Sequence, residues 1–402
     1  MLSYFVKYIY KLYFDINSPY FLQKGFTSMK KSITPGQIKE TNRNLVYQHL
    51  YKNPDSSQQD ISYALRLSRP TVTALLAELE QEGMICKNGV IASAYAGRKA
   101  AAYSVTPDYR IAIGAELLAS EWKLVAVDLY GRELKRKNYQ VAFQNTPEYY
   151  DSLCSEILHF IKELPASDAQ VLGVGFAVQG LVSPDGQQIA YGKILPFEGL
   201  TTAVFSALPF PCRLIHDAAS AAAAELWVSP ELQNAVFLLL SEHFGAAFIQ
   251  DRSVSAGKHG HQATIEHLQL FHNGKQCYCG QSGCVETECS ISALLQDGES
   301  LPLFFAAARK ENTAEAARWM SWLSSLAEVI NAVHLIYDCD YILGGHIAPY
   351  LKEDDLTVLY SQIRAHTSFP EPDDFIRISK MPEHGISTGA ALPFVQDFLN
   401  QM

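Results

Sequence analysis

Cys277-Tyr278-Cys279-Gly280-Gln281-Ser282-Gly283-Cys284-Val285-Glu286 sets three cysteines within eight residues, with two glycines among them. His267 stands ten residues before the first thiol and closes the segment Gly257-Lys258-His259-Gly260-His261-Gln262-Ala263-Thr264-Ile265-Glu266-His267. A structural zinc ion takes four nitrogen or sulfur ligands in a tetrahedron. The pair Cys277 and Cys279 cannot fill one alone, and Cys284 and His267 supply the third and fourth ligands. Gly280 and Gly283 give the backbone the positive φ needed to fold back around an ion. Two plainer readings compete: buried thiols or a redox couple, and a core histidine at 267. The glycine spacing favours the closed metal loop.

This stretch resembles the zinc loop of the ROK family, Cys-x-Cys-Gly-x-x-Gly-Cys-x-Glu after a Gly-rich segment ending in His. That family holds bacterial sugar kinases and sugar-responsive transcriptional repressors. The resemblance implies two ribonuclease H-like (actin-like ATPase) α/β domains around one cleft. The rest of the chain has to say which branch this is.

A length of 402 residues suggests two or three domains, and 48% hydrophobic residues is enough to fill their cores. Eight cysteines are too few for a disulfide scaffold at this length, and three are clustered at metal spacing, which points to a reducing cytoplasm. The net charge of −10 is uneven: residues 29–106 carry ten Lys/Arg against six Asp/Glu. A basic head on an acidic body suits polyanion binding by the head. Residues 1–28 are rich in aromatics, but Lys7, Lys11 and Asp15 interrupt them. The apolar run is too short to span a bilayer and lacks a small-residue cleavage site. Met29-Lys30-Lys31-Ser32 reads like a natural start, so the segment is taken as an upstream extension, with a membrane-surface helix as the alternative.

Residues 36–106 read as a winged helix-turn-helix. A first helix, about Gln37–Tyr51, has Ile38, Leu45, Val46 and Leu50 as its inner face. Ser57 opens a second, with Ile61, Ala64 and Leu65 inward. The recognition-helix candidate starts at Ser68-Arg69-Pro70-Thr71-Val72-Thr73. Ser68 is a natural N-cap, and Pro70 is tolerated in a first turn. Val72, Leu75, Leu76 and Leu79 keep helical spacing and should be buried, leaving Ser68, Arg69, Thr71 and Thr73 free near the N-terminus to meet a major groove. Two strands around Met84–Lys87 and Ala101–Val105 form the wing, with Arg98 and Lys99 near its tip for phosphates or a minor groove. A helical protein-interaction module is the plain alternative. The stretch also resembles the operator-binding head of ROK repressors, in Ser-Arg-Pro-Thr-Val and Gly-Arg-Lys; ROK kinases lack such a head.

From Tyr109 the pattern turns to strands. Arg110–Glu116 and Trp122–Asp128 read as a hairpin lying where ROK kinases carry a glycine-bearing phosphate loop. Here the loop reads Glu116-Leu117-Leu118-Ala119-Ser120. Without glycines, backbone amides cannot approach a phosphate closely, which argues against kinase activity. Val171–Gly180 is an apolar strand running to Gln179-Gly180, where the family usually has Pro-Gly. Leu214-Ile215-His216-Asp217 ends another strand before an Ala-rich helix. The family has Asn-Asp there, with the Asp as the kinase's general base; this chain keeps Asp217 and puts His216 for the Asn. The usual Gly-Glu-Ile-Gly-His reads Ala263-Thr264-Ile265-Glu266-His267, so the sugar-gripping Glu is Thr264 while the metal-binding His stays.

The expected architecture is α/β: an N-terminal extension over 1–31, with disorder as one reading, and a winged helix-turn-helix domain over 32–106. A first ROK α/β domain over 107–217 is completed by a C-terminal helix, 386–402. The second domain spans 218–385 and carries the zinc loop. The expected function is a DNA-binding regulator of carbohydrate metabolism, a repressor and not an enzyme. Its partners would be a double-stranded operator and a sugar or sugar phosphate, and it would act as a homodimer or tetramer, with no membrane. Zn2+ would sit on His267, Cys277, Cys279 and Cys284. The effector would meet Gln179, His216, Asp217 and Glu286. Two alternatives stand: a ROK sugar kinase with an added DNA-binding head, and a ligand-independent regulator controlled by a protein partner.

Overall fold

The computed structural model describes residues 34–91, 100–165, 170–197, 199–367, 370, 372–381 and 384–402. The extension over 1–31 and the wing-tip pair Arg98 and Lys99 lie outside the described residues.

The chain begins with α1 (Pro35–Lys52), β1 (Ser56–Ser57), α2 (Gln58–Leu65), α3 (Arg69–Gln81), β2 (Ile85–Ile91) and β3 (Ala100–Val105). Each helix starts on a side-chain cap. Thr34 and Gln37 form a capping box at α1, Ser57 and Asp60 another at α2, and Ser68 accepts from the Thr71 amide at α3. The strands pair in the order β1-β3-β2. Val72, Leu75, Leu76 and Leu79 are buried on α3 as their spacing predicts. The first helix differs from expectation. Val46, Tyr47 and Leu50 are buried, but Ile38 is 50% and Leu45 41% exposed. With 18 residues, α1 outruns the small core beneath it, and its first half stands clear. Ala64 is exposed too, because α2 turns its Ile61 and Leu65 side inward.

Two five-stranded sheets follow with one connectivity. In the first, β4 (Ile111–Leu117), β5 (Glu121–Val127) and β6 (Glu133–Gln140) form an antiparallel meander. After α4 (Pro147–Lys162), β7 (Val171–Val178) pairs parallel with β4; a small ribbon of β8 (Leu181–Val182) and β9 (Ile189–Tyr191) intervenes, and β10 (Cys212–His216) pairs parallel with β7. The helix α5 (Asp217–Val228) crosses to the second sheet, where β11 (Ala235–Leu240), β12 (Phe244–Gln250) and β13 (Ser253–Ser255) repeat the meander. Short helices α6 (Glu286–Cys289), α7 (Ile291–Leu294) and α8 (Leu301–Ala308) lead to the long α9 (Ala314–His334). Parallel strands β14 (Asp340–Gly344) and β15 (Ile376–Ile378), with α10 (Glu353–His366) between them, complete the sheet, and α11 (Gly385–Gln401) ends the chain.

Burial explains the layering. β11 reads Ala-Val-Phe-Leu-Leu-Leu and is buried on both faces, as a strand covered by helices on each side must be. Outer faces pack on α4 in the first sheet and on α8, α9 and α10 in the second. The inner faces meet α11 and α5 respectively. These two helices cross almost in backbone contact: a Cβ on Gly389 would lie 1.7 Å from the Ser220 carbonyl oxygen. Only glycine permits that approach.

The head is not loosely tethered. Val46, Tyr47, Leu50 and Leu75 share one hydrophobic cluster with Val125, Val127, Phe394 and Val395 of the body. Tyr51 stacks on Tyr130 with centroids 4.7 Å apart, and its hydroxyl donates to the Leu129 carbonyl at 2.9 Å. No helix among the described residues is long and apolar enough to cross a membrane.

Candidate functional site: a thiol–imidazole cluster beside a polar cleft

A one-turn helix, Ile265–His267, delivers His267, and a tight loop delivers the thiols. The Gly280 amide donates to the Cys277 carbonyl at 2.9 Å, closing the turn that holds Cys277 and Cys279 together. Gly283, at φ +75°, lets the strand pass so close to Phe271 that a Cβ would lie 2.1 Å from its carbonyl oxygen. One ligand atom from each of His267, Cys277, Cys279 and Cys284 falls within 4.8 Å of the others. The Cys279 and Cys284 sulfurs are 3.7 Å apart, and Cys277 Sγ is 3.8 Å from His267 Nδ1. A tetrahedral ion with metal–sulfur bonds of about 2.3 Å needs sulfurs about 3.8 Å apart, so the residues fit a metal. Burial pushes the Cys284 thiol up to about 12 and lowers the His267 imidazole. A cation would have to displace the thiol protons on binding.

Tyr278 couples this loop to a cleft. Its ring stands edge-on to His267 at 5.3 Å on one side and to His243 at 5.7 Å on the other. The cleft is lined by loops and strand ends from both halves of the body. From the first come Gln179, just past β7, and His216 and Asp217, at the junction of β10 and α5. Lys193, exposed between β9 and β10, also comes from the first half, and from the second come His243, Glu266 and Tyr278. The space between them is about 30 Å³, room for a water or two.

Asp217 accepts from the Ala218 amide at 2.7 Å and faces His216 Nε2 at 3.3 Å, so it serves as a helix-end carboxylate and still borders the cleft. Glu286 stands one layer back. It does not line the cleft, and its oxygens take His243 Nδ1 and the Phe244 amide, each at 2.7 Å. Burial is the largest influence on His243 and opposes its charged imidazole, but the Glu286 hydrogen bond together with the charges of Glu286, Glu242 and Asp217 outweighs it and raises the group above its ordinary value. Glu266 is pushed up to about 8, first by burial and then by the charges of Asp217 and Glu286. Sequence reasoning missed four of these residues. Tyr278 sat unassigned inside the cysteine motif, and Glu266 sat where the family pattern has glycine. His243 and Lys193 carried no signal.

At the end of β4 the chain turns without glycine. The Leu118 amide donates to the Glu121 carbonyl at 3.0 Å. Leu117 is buried in the core under α4, so it is not the residue that would obstruct a phosphate. Half-buried Leu118 and the buried carboxyl of Glu116 flank the turn.

On the head, Ser68, Arg69 and Thr73 are exposed at the start of α3, and Thr71 is half-buried. Ser68 and Thr71 are tied together, hydroxyl to hydroxyl at 2.8 Å, and Thr73 donates to the Arg69 carbonyl at 2.8 Å. Gln58 of α2 reaches the same carbonyl at 3.0 Å and was not foreseen.

Comparison with known proteins matches this arrangement. Residues 112–392 match the ROK family, and residues 40–85 match a winged helix-turn-helix DNA-binding family. The DNA-binding transcriptional dual regulator NagC of Escherichia coli K12 is 25% identical over 263 residues, 64% of this chain and 64% of the relative. The match thus spans a little under two thirds of that regulator. The xylose repressor of Bacillus subtilis is 26% identical over 271 residues, 64% of this chain and 68% of the relative. Among solved structures, a ROK family transcriptional regulator homologous to the E. coli MLC protein superposes with a TM-score of 0.69 at 21% identity, covering 90% of this chain and 97% of that one. A ROK family glucokinase from Streptomyces griseus gives 0.61 at 19% identity, over 73% and 100%. A family match over 112–392, joined to the repeated sheets and the thiol–imidazole loop, establishes that the chain belongs to the ROK family.

Proposed function

We propose that the protein is a transcriptional regulator, a repressor of carbohydrate genes, that reads operator DNA with its head and a sugar or sugar phosphate with its cleft. One observation carries this: a helix-turn-helix with an exposed α3 N-terminus shares a single hydrophobic cluster with the ROK body. Movement in the body then has to reach the head. Ser68, Arg69, Thr71 and Thr73 are the base- and phosphate-facing residues, and Arg98 and Lys99, outside the described residues, add further contacts to phosphates. Gln179, His216 and Asp217 meet the effector, and Glu286 acts through His243. His267, Cys277, Cys279 and Cys284 hold zinc, which matches their donor set and spacing. The ion braces Tyr278 and so one wall of the cleft. A cleft of about 30 Å³ cannot hold a sugar ring, so the effector enters when the two halves part. A ligand that prefers the parted state shifts the population of head arrangements. One recognition helix reads too few base pairs for genomic specificity, so the protein binds as a homodimer or a tetramer of such dimers, in the cytoplasm.

The runner-up is a sugar kinase with an added head, favoured by Asp217 at the cleft wall. The glycine-free turn at 117–120 weighs against it. The deciding test is fluorescence anisotropy on the DNA upstream of its own gene, with and without a sugar panel, beside an ATP-turnover assay. Sugar-dependent operator release without ATP turnover supports the regulator; turnover with no operator affinity overturns it. Operator binding that no sugar alters would point to control by a protein partner.

A further inference from the structure

We propose that Glu266 selects the effector, and that the group it selects is a protonated amine: the ligand is a sugar bearing a free amino group. This rests on the effector cleft proposed above and names its chemistry.

Glu266 lines the cleft and is 6% exposed, yet its Oε2 finds no hydrogen-bond partner among the described residues. Buried polar atoms are seldom left so. Its two carboxylate neighbours are already engaged. Glu286 accepts from His243 and the Phe244 amide, and Asp217 accepts from the Ala218 amide. Thr264, where the ROK pattern carries its carboxylate, turns its hydroxyl to the His261 carbonyl at 3.3 Å and does not line the cleft. The acceptor has therefore moved two residues along the chain and taken a new position.

Two carboxylates, Asp217 and Glu266, line the site, and Glu286 stands behind it on the far side of His243, whose imidazole it engages. The one Lys or Arg among the lining residues, Lys193, is exposed at the rim. A hydroxyl entering this region supplies a hydrogen bond but brings no charge to set against the carboxylates. An ammonium supplies a charge-assisted hydrogen bond and offsets the surrounding negative charge. An acetylated amine keeps one N–H and loses the charge.

The test is isothermal titration of the full chain, zinc-loaded, with glucosamine, glucose and N-acetylglucosamine, below the pKa of the amine. Glucosamine should bind about 10- to 100-fold tighter than either neutral sugar, the range for a charge-assisted bond. Glu266→Gln should remove most of that preference and keep the affinity for glucose. Glu266→Asp, which retains the charge, should keep the preference, and serves if the Gln variant loses its metal or its fold. Equal affinities in the wild type, or a preference that survives Glu266→Gln, overturn the proposal while leaving a sugar-responsive regulator standing. Absence of binding by all three sugars overturns it as well, and a wider panel without binders would take the effector reading with it.

Discussion

Trp227→Phe is expected to weaken communication between cleft and head without touching either. Trp227 is near the far end of α5, ten residues from Asp217 at the cleft, about 15 Å along the axis. Its indole Nε1 donates to the Tyr130 carbonyl at 2.8 Å, and Tyr130 stacks on Tyr51 of α1, rings 4° from parallel. Phenylalanine keeps most of the apolar contact and removes the donor. A neutral hydrogen bond of this kind contributes about 1 kcal/mol net. If it forms in only one arrangement of the head, all of that is lost from the coupling, a factor of about five in the effector-induced change of operator affinity. Allosteric couplings are typically about 1–3 kcal/mol, so the loss would be a large share of the signal. The assay is operator anisotropy with and without saturating effector, with effector affinity measured separately by calorimetry. A variant that keeps the full wild-type ratio of operator affinities refutes the route through Trp227.

Cys284→Ser removes a fully buried thiol of the proposed zinc site; metal content should drop well below one ion per chain and, at a cost of about 3 kcal/mol, Tm should fall by about 10 °C. Retention of stoichiometric zinc by elemental analysis would contradict the assignment. Glu116 is pushed up to about 7 by burial, with Lys123 at 3.7 Å pulling the other way. Its contribution is therefore fully present below about pH 4.5 and lost as pH rises through about 7, on the order of 3 kcal/mol. Urea unfolding of Glu116→Gln should show a shallower decline than the wild type over that window, and parallel curves would count against it. Arg69→Ala should weaken operator binding by about 1–3 kcal/mol and leave the melting temperature within about 1 °C, since the side chain is exposed. An unchanged operator affinity would remove Arg69 from the reading face.

Legibility in the sequence followed the range of the forces involved. Caps and periodicity act within one turn, so Ser57, Ser68 and the Val72, Leu75, Leu76, Leu79 stripe could be read directly. The clustering of His267 with the three thiols could also be read, because the thiols fall within eight residues and their glycines have few other uses. Where burial depends on what lies across the interface, local pattern failed. Ile38 and Leu45 keep helical spacing on a helix that projects past its core. Glu286 was placed in the cleft by its motif, but the turn between β11 and β12 brings His243 to the cleft lining with Glu286 behind it. No spacing along the chain could have announced that, since the two residues are 43 apart.

The position of α5 decides how the molecule can signal. Its first residue borders the cleft, its first turn crosses α11 at Ser220 and Gly389, and its end holds Tyr130 against the head. α11 in turn packs Phe398 edge-on to Tyr47 of α1, centroids 6.3 Å apart. Both helices are buried on several sides, so neither can bend to absorb a displacement at the cleft, and close-packed interiors transmit strain rather than dissipate it. Parting the sheets must therefore shift α5 and α11 together, and the head rests on both. Under the proposed function, a ligand that parts the halves would disturb the head through this connection. The proposed control of DNA binding would then need no hinge beyond this packing.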